Sequence, residues 1–186
     1  GDYQQQQTLL TQAEIKLLHA QVNPHFLFNA LNTISAITRR DPDKARDLIQ
    51  HLSQFFRSNL KQNIETVRLK EELEHVNAYL TIEKARFSDR LEVEWAIDDT
   101  LLEKIIPSFT LQPLVENAIK HGISQLLENG KVRIYSHTEN GEHTIVVEDN
   151  AGLYEAPAQN HSGLGLDIVN KRLANLLGRS STLHID

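Results

Sequence analysis

The spacing of apolar residues changes near Ser88, and this change constrains the possible folds more than any other feature of the sequence. Before Ser88, apolar or small residues recur every three or four positions, which is the period of amphipathic helices. The first such set is Leu10, Ala13, Leu17, Ala20, Leu27, Leu31 and Ile34. After Ser88 the pattern alternates, as a strand does, at Leu91, Val93, Trp95 and Ile97. The sequence therefore predicts a helical region, residues 1–88, followed by an α+β region, residues 89–186.

Two prolines divide the helical region. Pro24 removes a backbone donor and crowds the carbonyl of Ala20, so we expect a kink or a new helix capped by Asn23. Asp41-Pro42-Asp43 ends that helix and starts the next, whose apolar face is Ala45, Leu48, Ile49, Leu52, Phe55, Phe56 and Leu60. A further helix is predicted over residues 69–87. Because these helices have few other partners for their apolar seam, we expect two copies to pair into a four-helix bundle.

The α+β region is predicted to layer helices on one antiparallel or mixed sheet. Pro107 precedes an amphipathic helix whose apolar side is Leu111, Leu114, Val115, Ala118 and Ile119. Residues 132–135 and 144–147 resemble strands and flank Asn140-Gly141, which is the strongest short signal for a hairpin turn. A loop over residues 151–162 and a helix over residues 163–177 follow. We expect the last strand to be incomplete, because the chain stops at residue 186.

Composition excludes several kinds of partner. A formal net charge of −6 and a pI of about 5.8 leave no basic surface for direct contact with nucleic acid. The chain has no cysteine, so disulfides and thiolate metal sites are excluded. No stretch approaches the roughly 18 apolar residues of a membrane-spanning helix. Because the chain begins at Gly1 and contains no methionine, we expect it to be a piece of a longer protein.

The sharpest chemistry in the helical region surrounds His25. On a helix, His25, Asn29 and Asn32 lie four and three residues apart and form one polar stripe beside the apolar seam. Neutral imidazole predominates near pH 7 and is a nucleophile, so an exposed histidine here could accept a phosphoryl group. The alternative from the residues alone is an ordinary exposed histidine with polar neighbours.

A second set of candidate residues lies in the α+β region. Asn117 and His121 share one face of the predicted helix, where an amide oxygen suits Mg²⁺ and the nearby Lys120 suits phosphate. Asp149 follows a strand, and its carboxylate can accept from an exocyclic amine such as that of adenine. Further on, Gly163 and Gly165 open a helix whose N–H groups favour phosphate. The alternative is a solvated helix face that ends in a glycine C-cap at Gly122.

Residues 18–32, with His25 at their centre, closely resemble the phosphoacceptor segment of LytS-type sensor histidine kinases. A second block of that family is matched by Tyr79, Leu80, Glu83, Arg86 and Phe87. The resemblance implies that His25 is phosphorylated. Asn29 matches the position at which other histidine kinases use Asn or Thr in dephosphorylation. Many of those kinases have an acid directly after the histidine as its base, and Phe26 occupies that place here.

The order of the later motifs resembles the ATP-binding sandwich that histidine kinases share with DNA gyrase and the Hsp90 chaperones, called the Bergerat or GHKL fold. The resemblance implies that Asn117 coordinates the Mg²⁺ of ATP and that Asp149 recognises adenine. It assigns further nucleotide contacts to Lys120, His121, Gly152, Gly163, Gly165 and Leu166, and an ATP lid to residues 153–161.

The sequence departs from that pattern in two ways. The family's D-x-G-x-G turn has Ala151 and Leu153 in its glycine positions, with Gly152 between them. Pro113 stands four residues before Asn117, where gyrase and the chaperones carry a catalytic glutamate, which argues against a plain ATPase. Glu116 is not assigned as a base, and the base for His25 stays unassigned.

The resemblance implies an ATP-dependent protein-histidine kinase of a two-component system. Its partner is expected to be the receiver domain of a response regulator with a LytTR-type output. The parent protein is expected in the bacterial inner membrane, with this soluble part on the cytoplasmic side. Two alternatives remain open. The altered acid–glycine turn suggests a dimeric scaffold that binds nucleotide without phosphotransfer. The nine histidines suggest a metal-binding module, although they are dispersed and form no H-E-x-x-H motif.

Overall fold

The computed structural model describes residues 2–21, 23–60 and 66–151, and the chain divides into two compact units, residues 1–61 and 62–186. The described residues of the first unit form three helices, α1 (Asp2–Gln21), α2 (Pro24–Ile37) and α3 (Pro42–Leu60). Among the described helices, none combines the length and the apolar character that crossing a bilayer demands.

Helices α2 and α3 pack against each other through one apolar face of each. The buried residues are Phe26, Ala30, Ile34 and Ile37 on α2, and Ala45, Leu48, Leu52 and Phe55 on α3. The rings of Phe26 and Phe55 meet edge to face, with centroids 5.1 Å apart. The predicted face of α3 is confirmed at these four positions, whereas Ile49 is 51% exposed.

Both predicted helix starts are confirmed. Asn23 Oδ1 accepts hydrogen bonds from the backbone N–H of His25 at 3.1 Å and of Phe26 at 3.4 Å. These N–H groups belong to the first turn of α2, where intrahelical acceptors are missing. Asp41 Oδ1 accepts from the backbone N–H of Lys44 at 3.1 Å and so caps α3. Each proline is therefore the first residue of a helix and directly follows the residue that caps it.

Replacing Asn23 with alanine should loosen the first turn of α2. Loss of a side-chain N-cap destabilises a helix by about 1 kcal/mol, so amide exchange at His25 and Phe26 should accelerate about fivefold. Asn23→Asp keeps an acceptor oxygen and serves as the matched control. NMR-detected hydrogen exchange measures both variants, and equal protection in Asn23→Ala and the parent chain would contradict the role of the cap.

The second unit begins with a short strand and a long helix. Strand β1 (Thr66–Arg68) leads directly into α4 (Leu69–Phe87) and pairs antiparallel with β3 (Ile105–Pro107). Helix α4 has the bounds that the sequence predicts. A short helix, α5 (Gln112–Asn117), follows and continues into one turn of π-helix at Ala118–Gly122. The sequence predicts one regular helix through this segment, but only Gln112–Asn117 is α-helical and the residues after it form the wider π-helical turn.

Among the described residues, the main sheet has three strands in the order β2-β4-β5, namely β2 (Leu91–Ala96), β4 (Gly130–Glu139) and β5 (Glu142–Asp149). β2 runs parallel to β4, and β4 runs antiparallel to β5, so the sheet is mixed. Asn140 and Gly141 have φ values of 53° and 79°, as a two-residue hairpin turn with positive φ at both positions requires. The predicted hairpin is confirmed.

The two faces of the sheet differ in chemistry. Val132 and Ile134 of β4 are fully buried on one face. α4 contacts β2, and the π-helical turn contacts β5. On the other face Lys131 pairs with Glu94 at 2.7 Å and Arg133 with Glu148 at 3.8 Å. One face of β4 therefore belongs to the core of the second unit, and the other carries ion pairs.

The division between the compact units lies between residues 61 and 62, whereas the sequence predicts a boundary between residues 88 and 89. The difference arises from α4, which contacts β1, β2 and α5. Its buried residues include Val76, Ala78 and Ile82. The change of apolar spacing near Ser88 thus marks a change of secondary structure within the second unit. The predicted loop at 151–162, the helix at 163–177 and the last strand lie outside the described residues, apart from Ala151.

Candidate functional site

His25 lies in the first turn of α2, and its side chain is exposed. The side-chain amide of Asn29, one turn later, places Nδ2 3.1 Å from Nδ1 of the imidazole. The predicted polar stripe is confirmed for these two residues. In neutral imidazole the nitrogen without the proton is the nucleophile, so the amide beside Nδ1 bears on which ring nitrogen can react.

The residue after the histidine is part of the protein core. Phe26 is 4% exposed, and its ring packs against Phe55. A side chain at this position points between α2 and α3 and away from solvent. The departure noted in the sequence therefore has a structural cause, because a carboxylate in place of Phe26 would be buried without a charged partner.

Several large apolar side chains of the first unit are exposed. On α2, Phe28 is 68% and Leu31 is 49% exposed, and both lie within two turns of His25. On α3, Ile49 is 51% exposed. Exposed large apolar side chains are typical of interaction surfaces when they form one patch.

In the second unit the end of β5 meets the π-helical turn. A Cβ atom added to Gly122 would lie 2.9 Å from Oδ1 and 3.0 Å from Cγ of Asp149. The same Oδ1 accepts a hydrogen bond from the backbone N–H of Ala151 at 2.9 Å. The structure thus brings together two motifs that the sequence places more than 25 residues apart, the segment Asn117 to Gly122 and the acid at Asp149.

Gly122 does not act as a left-handed helix cap. Its φ of −104° and ψ of −82° lie outside the left-handed region that a glycine C-cap adopts. The space beside its Cα is taken by the Asp149 carboxylate. The alternative explanation of Gly122 as an ordinary C-cap is therefore wrong, and close approach explains the glycine.

Asn150 fixes the chain directly after Asp149. Its Oδ1 accepts from the backbone N–H of Lys131 at 2.8 Å, and its Nδ2 donates to the carbonyl of Asn129 at 2.7 Å. The side chain therefore ties the end of β5 to the start of β4. Sequence reasoning missed this role, because these three residues become neighbours only through the pairing of the strands.

A buried polar cluster supports the helix that carries Asn117. Gln112 Nε2 donates to Oε1 of Glu116 at 3.0 Å, and burial raises the pKa of the Glu116 carboxyl. On α4, Glu83 is 1% exposed and lies 3.4 Å from Arg86 Nη1. Burial raises the pKa of Glu83 to about 7.

Tyr79 belongs to the same cluster. Burial, followed by the nearby carboxylates of Glu83 and Glu116, raises the pKa of Tyr79 well above its usual value. Tyr79 and Glu83 of the family block on α4 therefore lie close to Glu116 of α5. These residues support α5 from within the core, which agrees with leaving Glu116 unassigned as a catalytic base.

The start of α5 is capped from α4. Glu72 is buried, and its two carboxylate oxygens accept from the backbone N–H groups of Phe109 and Leu111 at 3.1 Å and of Gln112 at 3.2 Å. These donors lie at or just before the first turn of α5, which has no cap from its own N-cap residue. The sequence offers no local signal for this contact.

The remaining predicted site residues divide into two groups. Asn117 is half-buried, and Lys120 and His121 are exposed on the π-helical turn. Such single widened turns are frequent at functional sites. Gly152, Gly163, Gly165, Leu166 and the lid residues 153–161 lie outside the described residues. Within the part of the chain that the structure describes, no three His, Asp or Glu side chains group as a metal site.

The sequence of the chain matches known proteins along most of its length. A family model described as histidine kinase matches residues 13–91. "Sensor histidine kinase BtsS" of Escherichia coli (strain K12) is 60% identical over 179 residues, which are 96% of this chain and 32% of that protein. "Sensor protein LytS" of Staphylococcus haemolyticus (strain JCSC1435) is 42% identical over 198 residues, covering 100% of this chain and 34% of that protein. The chain thus spans about a third of the length of these curated relatives.

Proposed function

Since the chain belongs to the LytS-type sensor histidine kinases, we propose that it catalyses ATP-dependent phosphorylation of His25 and passes the phosphoryl group to the receiver domain of a response regulator. The observation that carries this proposal is the exposed imidazole of His25, engaged at Nδ1 by Asn29 inside the residues that match the family. The alternative of a nucleotide-binding scaffold without phosphotransfer is not favoured by relatives named as sensor kinases.

The second unit is proposed to adopt the GHKL fold and to bind ATP with Mg²⁺. Asp149 is acceptor-only, and its carboxylate is held by Ala151 and by contact with Gly122, which suits recognition of the adenine amino group. Asn117 would offer an amide oxygen to Mg²⁺. The bound ion would neutralise phosphate charge during transfer. The exposed Lys120 and His121 would attract the phosphates.

Further nucleotide contacts are proposed for Gly152, Gly163, Gly165 and Leu166 by resemblance alone. These residues follow Asp149 in the order that the family uses for its turn, lid and glycine-rich helix start. Backbone N–H groups at such a helix start favour phosphate. The lid is proposed at residues 153–161.

The first unit is proposed to form a homodimer. The exposed Phe28, Leu31 and Ile49 would be covered by the same helices of a second copy, as in a four-helix bundle. We further propose an inner-membrane parent protein with this part on the cytoplasmic side, and a response regulator with a LytTR-type output.

Phosphorylation of His25 is tested by incubating the full-length kinase with ATP labelled at the γ-phosphate. We expect acid-labile, alkali-stable label in the parent protein and none in His25→Gln, because glutamine offers no nucleophilic nitrogen. His51→Gln is the matched control, since His51 lies on α3 and bonds locally to Asp47. Label that persists in His25→Gln would overturn the proposal.

Gly122→Ala should weaken nucleotide binding. The added methyl would lie about 3 Å from the Asp149 carboxylate, so the carboxylate must move away from its position. A displaced charged acceptor loses a hydrogen bond with adenine, which corresponds to about a tenfold or larger rise in the Kd for ATP. Calorimetry measures the Kd for ATP in Gly122→Ala and in the control Ser124→Ala. Ser124 is an exposed residue nearby, so its variant should keep the parent Kd. Equal affinity in Gly122→Ala and the parent would contradict this role.

A further inference from the structure

The hydrogen bond from Asn29 makes the two ring nitrogens of His25 unequal. Nδ1 lies 3.1 Å from the Asn29 side chain, while Nε2 has no hydrogen-bond partner among the described residues. In neutral imidazole one nitrogen carries the proton and the other carries the reactive lone pair. The group that engages Nδ1 therefore influences whether Nε2 can act as the nucleophile.

The residue directly after the histidine cannot perform this task. Phe26 is apolar and buried against Phe55, so no carboxylate is available from that position. Asn29 lies one helical turn from His25 and on the same face. The backbone of Asn29 is held within α2, and its backbone carbonyl accepts a hydrogen bond from Thr33 Oγ1 at 2.8 Å. The amide is therefore placed beside Nδ1 by regular helix geometry.

We propose that Asn29 is a positioning residue that directs phosphoryl transfer to Nε2 by controlling the tautomer of His25. This inference rests on the proposed phosphorylation of His25. The amide has two chemically different ends. With Nδ2 toward the ring it donates to a bare Nδ1, and the proton resides on Nε2. A half-turn about the Cβ–Cγ bond presents Oδ1, which accepts from Nδ1–H and leaves the lone pair on Nε2.

The transfer step follows from the second arrangement. The Nε2 lone pair forms a bond to the γ-phosphorus of ATP, and the bond from that phosphorus to the β,γ-bridging oxygen breaks. ADP leaves with the electron pair of the broken bond. The ring carries a positive charge until Nδ1 loses its proton to water, and Asn29 Oδ1 stabilises that N–H while the charge is present. The phosphorylated imidazole is then neutral.

Two substitutions at Asn29 separate this role from a structural one. Asn29→Asp offers only acceptor oxygens, so it should favour the Nδ1–H tautomer and raise the initial rate of His25 phosphorylation. Asn29→Leu has no polar end, so the tautomer ratio should return to that of free imidazole. The rate should fall about tenfold, because no oxygen then stabilises the Nδ1–H group during transfer. Asn32→Leu, on an exposed position of the same helix, is the matched control and should change neither quantity.

The tautomer is measured without nucleotide, from the ¹⁵N shifts of the His25 ring in labelled protein. The rate is measured separately with labelled ATP in the full-length kinase. A larger fraction of the Nδ1–H tautomer in Asn29→Asp than in Asn29→Leu, with initial rates in the same order, supports the proposal. Parent-like ring shifts and rates in Asn29→Leu would overturn it. Absence of label at His25 in the parent kinase would instead refute the proposed function, since the ring shifts report on Asn29 independently of ATP.

Discussion

Glu72→Ala is expected to lower the free energy of unfolding of the chain by about 3 to 4 kcal/mol, because three backbone donors at the start of α5 would lose their acceptor. Glu72 is 4% exposed, and its carboxylate accepts from Phe109, Leu111 and Gln112. A carboxylate at the start of a helix is also favoured by the helix dipole. At this chain length the loss corresponds to a fall in Tm of about 10 °C.

Two further variants sharpen this experiment. Glu72→Gln keeps the shape of the side chain but turns an NH₂ group toward at least one backbone donor, so its Tm should lie between those of the parent and Glu72→Ala. Glu71→Ala removes the neighbouring exposed acid of the same helix and should leave the Tm unchanged. Thermal unfolding followed by circular dichroism measures all three. If Glu72→Ala and Glu71→Ala have the same Tm, the carboxylate of Glu72 does not stabilise the start of α5.

Glu83→Gln is expected to change the pH dependence of stability. Burial raises the pKa of Glu83 from 4.5 to about 7. Between these values the folded chain holds a proton that the unfolded chain releases, so this group makes the protein less stable as the pH rises. The difference corresponds to about 3 kcal/mol over that window. The carboxyl of Glu116, whose pKa is also raised, acts in the same direction.

His75, on the same helix, acts in the opposite direction. Burial lowers its pKa from 6.5 to about 4. Between these values the unfolded chain binds a proton that the folded chain excludes, so this group makes the protein more stable as the pH rises. The contributions of Glu83 and His75 therefore largely cancel in the parent chain between pH 4.5 and 6.5. Without Glu83, the contribution of His75 to the pH dependence of stability is cancelled to a smaller extent.

In Glu83→Gln, the free energy of unfolding should therefore rise by up to about 3 kcal/mol between pH 4 and 6.5, while the parent profile stays flatter. Urea unfolding at half-unit pH steps measures both. Glu74→Gln, at an exposed position of α4, should follow the parent profile. Superimposable profiles for Glu83→Gln and the parent would show that the buried carboxyl does not hold a proton in the folded state.

The sequence predicts those parts of the fold that depend on neighbouring residues. The cap at Asn23, the restart at Pro42 and the turn at Asn140-Gly141 each follow from the conformational preferences of a few consecutive residues, and all three are confirmed. The bounds of α4 follow from its apolar period and from Ser88 after it. The pairing of His25 with Asn29 likewise follows from one helical turn.

Contacts between distant segments could not be read from the sequence. Glu72 reaches residues 37 to 40 positions away, and nothing local distinguishes it from the exposed Glu71. The packing of α4 within the second unit and the approach of Gly122 to Asp149 depend on how the strands pair. The widened turn after Asn117 was also missed, because its residues have the composition of a regular helix. The positions of Asn117 and Asp149 could be predicted as motifs, but their surroundings could not.

The burial of Phe26 restricts how this protein can evolve. A lineage that acquired an acid directly after His25 would place a carboxylate between α2 and α3, beside Phe55, and such a change is destabilising by several kcal/mol. An acid directly after His25 would therefore require a repacked α2–α3 pair, whereas the partly buried Asn29 can be substituted with less disturbance of that core.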